Sequence, residues 1–182
     1  MLLIYKYKDK KREYKMVEQD KVWGGKVKHT GIFSFSELYE FVYDWCMDEG
    51  YKVREKKYSE KILGESKVIE IEWECDKRVS DYFKFRFKLQ WMITGLKKIE
   101  VKKDDQKITM NSGAVEIKYT ATIYKDYESR WENQPIWKFL RGVYDRYIIR
   151  PRIDYYEDKV EDDLRELITQ TKAFLALESK KI

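Results

Sequence analysis

The chain has 182 residues, of which 43% are apolar, 16% aromatic and 39% charged, and its formal net charge is +5. That apolar and aromatic content excludes a disordered chain, and the length fits one domain with a sizeable core. The mild basicity disfavours a dedicated nucleic-acid binder, and no run of about 18 apolar residues is present to make a membrane-spanning helix.

Residues 1–25 read as an N-terminal extension or edge strand. Leu2-Leu3-Ile4-Tyr5 has edge-strand character, and Met1 to Lys6 lacks the charged and long apolar regions of a secretory signal. Val22-Trp23-Gly24-Gly25 is expected to break any regular element. Residues 26–177 are expected to form a single α+β domain, with 178–182 as a tail. Lys26 to Phe33 opens that domain as a strand.

Residues 34–50 predict a helix. Ser34 with Glu37 matches a capping box, and Phe33 with Leu38 is placed to close a hydrophobic staple over it. Leu38, Phe41, Val42, Trp45 and Cys46 recur at the spacing of a core-facing stripe, and Gly50 supplies a left-handed stop.

A β meander is predicted next. Tyr51 to Ile62 is a polar strand, turned by Leu63-Gly64-Glu65-Ser66. In Val68 to Cys75, Ile69, Ile71, Trp73 and Cys75 share one face and Glu70, Glu72 and Glu74 the other. In Tyr82 to Ile93, Phe83, Phe85, Phe87, Leu89, Trp91 and Ile93 point one way and Lys84, Arg86, Lys88 and Gln90 the other, an alternation with no helical reading. Thr94-Gly95 reads as a turn. Ile99 and Val101 mark a short strand, Asp104-Asp105 its turn, and Ile108 and Met110 another short strand. Val115, Ile117, Tyr119, Ala121 and Ile123 face inward from a last one. The short connections require antiparallel pairing. The outward glutamates of 70–74 and cations of 84–88 would then form cross-strand ion pairs that fix the register.

Two helices follow. Ile136, Phe139, Leu140, Val143 and Tyr147 form the stripe of the first, ended by Arg150-Pro151. The second runs from about Asp154 to Leu177 on Val160, Leu164, Leu167, Ile168, Thr171, Phe174 and Leu175. The fold class is therefore α+β: a curved antiparallel sheet of about six strands, one helix before it, and two C-terminal helices packed on one face.

Chemistry-bearing motifs are sparse. One histidine, His29, and two distant cysteines, Cys46 and Cys75, cannot build a usual zinc site, and no phosphate-binding glycine motif occurs. The cysteines read as buried thiols of a reducing, cytoplasmic compartment. No catalytic residue, metal ligand or cofactor is assigned. Lys138, Arg141, Arg146, Arg150 and Arg152, beside Trp131 and Trp137, form a basic segment suited to an anion or to internal carboxylates.

The order strand, helix, antiparallel strands, long C-terminal helix resembles the helix-grip arrangement of the START-like and polyketide-cyclase-like superfamily over residues 26–177. A single first helix, two terminal helices and about 25 residues ahead of the first strand depart from that pattern. The resemblance implies a cavity for an apolar ligand between sheet and C-terminal helix, lined by Trp73, Phe83, Phe85, Phe87, Leu89, Trp91 and Tyr119. The same residues serve equally as a filled core.

Three functions follow in order of preference. The first is a non-enzymatic domain binding an apolar small molecule or lipid. The second is an adaptor acting through an aromatic protein interface, with a protein partner or a second copy of the chain. The third is contact of residues 138–152 with nucleic acid or, peripherally, an anionic membrane surface. Nucleic acid is the less favoured partner.

Overall fold

The computed structural model describes residues 18–103, 106–127 and 150–179. In chain order these form β1 (Glu18–Phe33), α1 (Phe35–Asp48), β2 (Lys52–Leu63), β3 (Ser66–Arg78), β4 (Phe83–Lys103), β5 (Gln106–Lys125) and α2 (Arg150–Glu178). The protein is α+β, with one antiparallel sheet in the order β1-β5-β4-β3-β2. The chain leaves β1 on one edge, passes through α1 to β2 on the other, and returns strand by strand until β5 pairs with β1. The sheet is not closed, and no helix of the described residues is long and apolar enough to cross a membrane.

Among the described residues the sheet has five strands, where about six were expected. The short strands expected around Ile99 and Ile108 are the distal halves of β4 and β5, which stay paired from Phe83↔Lys125 to Lys103↔Gln106. Thr94-Gly95 is a bulge rather than a turn: the register shifts between Thr94 and Lys97, and Gly95 has φ +65. Opposite it, a Cβ on Gly113 would lie 3.1 Å from the Thr94 carbonyl oxygen, so glycine lets the two backbones approach there. Val22-Trp23-Gly24-Gly25 likewise lies inside β1 instead of breaking it. A Cβ on Gly25 would meet Ile168 Cδ1 at 2.8 Å, so this glycine makes room for α2.

The signals at 34–50 position α1. Ser34 accepts the Glu37 N–H through its Oγ at 3.3 Å, and Gly50, at φ +78, ends the element. The reciprocal half of the capping box differs: the Ser34 N–H donates to Glu178 Oε2 at 3.4 Å. Arg150-Pro151 is the first described part of α2, where a proline in the first turn forfeits no helical hydrogen bond. The helix expected over Ile136–Tyr147, the Leu2–Tyr5 strand, the Asp104-Asp105 turn and the tail from Lys180 lie outside the described residues.

Both helices pack on one face of the sheet, α2 against β1 and β5 and α1 towards β2, and they meet where Phe41 stacks on Phe174 at 4.9 Å. The other face carries cross-strand ion pairs, the expected Lys88–Glu72 and Arg86–Glu74 among them. Lys88 Nζ lies 2.8 Å from Glu72, Arg86 Nε 2.6 Å from Asp76, and Lys57 Nζ 2.5 Å from Glu70. The exposed pairs, Lys88–Glu72 and Lys57–Glu70, contribute only about 0.2–1 kcal/mol each, so their main effect is on register, whereas Arg86–Asp76 is half-buried.

Candidate functional site

Strand alternation places the seven predicted lining residues on the helix-covered face. Trp73 comes from β3, Phe83, Phe85, Phe87, Leu89 and Trp91 from β4, and Tyr119 from β5, and none is more than 2% exposed. They form one layer. Tyr39 of α1 meets Trp73 edge-on at 4.7 Å, Tyr51 stacks on Phe87 at 4.3 Å, and Tyr156 of α2 lies 4.7 Å from Phe83. The Tyr119 hydroxyl donates to Thr171 Oγ1 at 3.2 Å, and burial pushes its pKa up, so it stays protonated. Trp73 Nε1 and the Tyr39 hydroxyl both donate to Glu55 Oε2, and burial together with that carboxylate raises the Tyr39 pKa to about 12. Trp91 is different: its buried Nε1 has no acceptor among the described residues, a state that costs about 1–3 kcal/mol.

Beyond Trp91 the next inward rows are Ile69–Ile93 and then Lys67–Leu96. There the covering ends and a cleft of about 540 Å³ opens. Phe35 and Ser36 of α1, Tyr58 and Glu60 of β2, Glu65 of the β2–β3 turn, Lys67 and Ile69 of β3, Leu96, Lys97 and Lys98 of β4, and Asn111 of β5 line it. The β4 bulge brings Leu96 into it, since the insertion at Thr94–Lys97 sets Leu96 opposite Lys67. Asn111 ties the helix to the sheet by accepting the Phe35 N–H through Oδ1 at 3.2 Å.

The electrostatics of the cleft are uneven. Lys67 Nζ lies 2.6 Å from Glu60, and the Tyr58 hydroxyl donates to the same carboxylate at 3.1 Å. Those hydrogen bonds, Lys67 first, hold Glu60 below its ordinary range. Lys97 and Lys98 are exposed and have no carboxylate partner among the described residues, and Glu65 has no basic one.

The remaining candidates do not converge. Lys138, Arg141 and Arg146 lie outside the described residues, and Arg150 and Arg152 are exposed in the first turn of α2. His29 sits on β1, edge-on to Phe33, with Nε2 3.3 Å from Ser179 Oγ. Cys46 and Cys75 are free and buried, and the bond to Cys46, then burial, pushes the Cys75 thiol up, away from the reactive thiolate. Among the described residues no cluster of three or more His, Cys, Asp or Glu is placed to hold a metal ion.

Sequence reasoning missed the cleft. Its lining comes from five elements and a turn, and its opening depends on the bulge. One signal was available: Tyr58, Ile62 and Leu63 are apolar in an otherwise charged strand, and all three are at least 49% exposed.

No protein-family model and no curated protein matches the chain.

Proposed function

We propose that the chain is a non-enzymatic, helix-grip-like domain that binds a small molecule with an apolar body, and that the distal cleft is its site. The observation that carries this reading is the cleft itself. At about 540 Å³ it falls within the size range of small-molecule sites, and it combines Phe35, Tyr58, Ile69 and Leu96 with seven polar or charged residues. The aromatic layer beneath the helices is the rigid support for that site rather than its lining. The strand–helix–meander–helix order, with both helices on one face, supports the helix-grip reading. The two free buried thiols fit a reducing, cytoplasmic setting.

The test is native mass spectrometry of the full chain purified without denaturant, beside a Ser36→Trp variant. Ser36 is exposed in the first turn of α1, so the larger side chain fills the cleft without entering the core. A small molecule carried by the parent chain and lost in the variant supports the reading. An equally loaded variant, or a parent that binds nothing from a lipid and metabolite extract, refutes it.

A second reading is a protein interface. Tyr43 and Met47 on α1 and Tyr58, Ile62 and Leu63 on β2 are exposed apolar side chains. The same spectra test it, since a self-assembling chain appears as a multiple of its own mass.

A further inference from the structure

We propose that the helix-free face of the sheet carries a second site, in which Arg78, Lys84 and the Tyr124 hydroxyl hold the terminal phosphoryl group of a phosphate monoester. The site is independent of the distal cleft, which opens on the helix-covered face.

The strand ladders bring these side chains together. Arg78 is paired with Lys84, and Lys84 with Tyr124. One row further in, Asp76 is paired with Arg86, and in the next Glu74 with Arg54. Directly paired residues point the same way, as do residues two apart on a strand, so all of these share the face away from the helices. Two tyrosine rings sit among the cations. Lys84 Nζ lies 4.8 Å from the centre of the Tyr124 ring and 5.9 Å from that of Tyr127. Arg86 Cζ lies 4.9 Å from Tyr124, and Arg78 Cζ 5.8 Å from Tyr127.

Uncompensated charge carries the inference. Further along the same face Lys88 lies on Glu72 and Lys57 on Glu70. Here four cations, Arg54, Arg78, Lys84 and Arg86, meet two carboxylates, Glu74 and Asp76. Both carboxylates are already taken. Arg86 bonds Asp76 at 2.6 and 2.9 Å, and Arg54 bonds Asp76 at 2.9 Å and Glu74 at 3.1 Å. Lys84 reaches Asp76 only at 3.8 Å, and Arg78 has no carboxylate partner among the described residues. Lys52, the ladder partner of Asp76, adds a further exposed cation at the edge. The Lys84 side chain is only 19% exposed, so it does not escape its neighbours into solvent. Burial, and then the charges of Arg86, Arg54 and Arg78, lower its pKa, a cost that a bound anion relieves. The Tyr124 hydroxyl accepts from Arg86 Nη1 at 3.3 Å, and its own proton has no acceptor among the described residues. Guanidinium, ammonium and hydroxyl donors side by side suit an anion with several acceptor oxygens. At least two uncompensated charges favour the dianionic monoester over a singly charged carboxylate or phosphodiester.

Thermal unfolding of the full chain in phosphate and in acetate, at neutral pH and one ionic strength, tests the site. Matched ionic strength is needed because any salt screens crowded cations. Phosphate is expected to raise the parent's midpoint by about 3 °C over acetate, since it binds only the folded chain. An Arg78→Gln/Lys84→Gln variant should lose that gain while unfolding in acetate no earlier than the parent, because it removes uncompensated charge. Arg78→Gln alone, at an exposed position, should lose part of it and serves if the double variant does not fold. Sedimentation with phosphatidylcholine vesicles containing phosphatidic acid separates the sources. Cosedimentation assigns the phosphoryl group to a lipid headgroup, and a phosphate gain without it assigns a soluble ester. Equal midpoints in phosphate and acetate, or a gain kept by the variants, would overturn the proposal. Binding of a single-stranded oligonucleotide that phosphate does not displace would overturn it in favour of a nucleic-acid surface.

Discussion

The carboxylate of Glu178, in the last turn of α2, accepts the backbone N–H of Ser34, the residue that caps α1, at 3.4 Å. The bond joins the end of one helix to the beginning of the other across 144 positions of sequence, and Glu178 is only 2% exposed. Glu178→Ala should therefore destabilise the protein by about 1–3 kcal/mol, through a lost charge-assisted bond and an orphaned N–H. Glu178→Gln, which keeps an acceptor, should cost less. Urea unfolding of both variants checks this, and equal midpoints for parent and Glu178→Ala would contradict it.

The glycines of β1 give a graded prediction. A Cβ on Gly24 would lie 2.9 Å from the Tyr119 carbonyl oxygen, a backbone atom that cannot turn aside. A Cβ on Gly25 would lie 2.8 Å from Ile168 Cδ1, the end of a side chain that can. Gly24→Ala should cost about 1–3 kcal/mol, as overpacking usually does. Gly25→Ala should cost less, and Ile168→Val should recover part of that loss. Thermal unfolding of the three variants measures the order, and a harmless Gly24→Ala would contradict the pairing of β1 with β5.

Acid stability should depend on Asp76. Burial works to raise its pKa. The hydrogen bonds from Arg86, at 2.6 and 2.9 Å, and the charges of Arg86, Lys84 and Arg54 outweigh burial and hold it below its ordinary value. A depressed carboxylate stabilises the fold above its unfolded pKa, about 3.9, and that contribution is lost as pH falls through the folded value. Asp76→Asn should lower stability near neutral pH by about 1–3 kcal/mol and flatten the decline below about pH 4. Parallel stability curves for parent and variant would contradict this.

What was legible in the sequence followed from local chemistry. Ser34, Glu37 and Gly50 bound α1 because capping and left-handed stops are properties of single positions. The alternation from Phe83 to Ile93 could only be a strand, and the charges opposite it paired as expected, Lys88 with Glu72 and Arg86 with Glu74. What was not legible depended on tertiary partners. Gly25 read as a breaker because Ile168, whose packing it accommodates, lies 143 positions away in sequence. Gly95 read as a turn because bulges and turns use the same conformation. The cleft was invisible because Phe35, Tyr58, Leu96 and Asn111 become neighbours only once the register is set.

The central claim is that a ligand occupies the distal end of the sheet while the aromatic layer stays packed. Amide chemical-shift mapping of the full chain titrated with octanol tests it most directly. The predicted result is a saturable set of shifts at Phe35, Ser36, Ile69, Leu96, Lys98 and Asn111, with Phe85, Phe87 and Leu89 unmoved. Shifts centred on the ion-paired face around Glu72 and Lys88, or no shifts at saturating octanol, would contradict it.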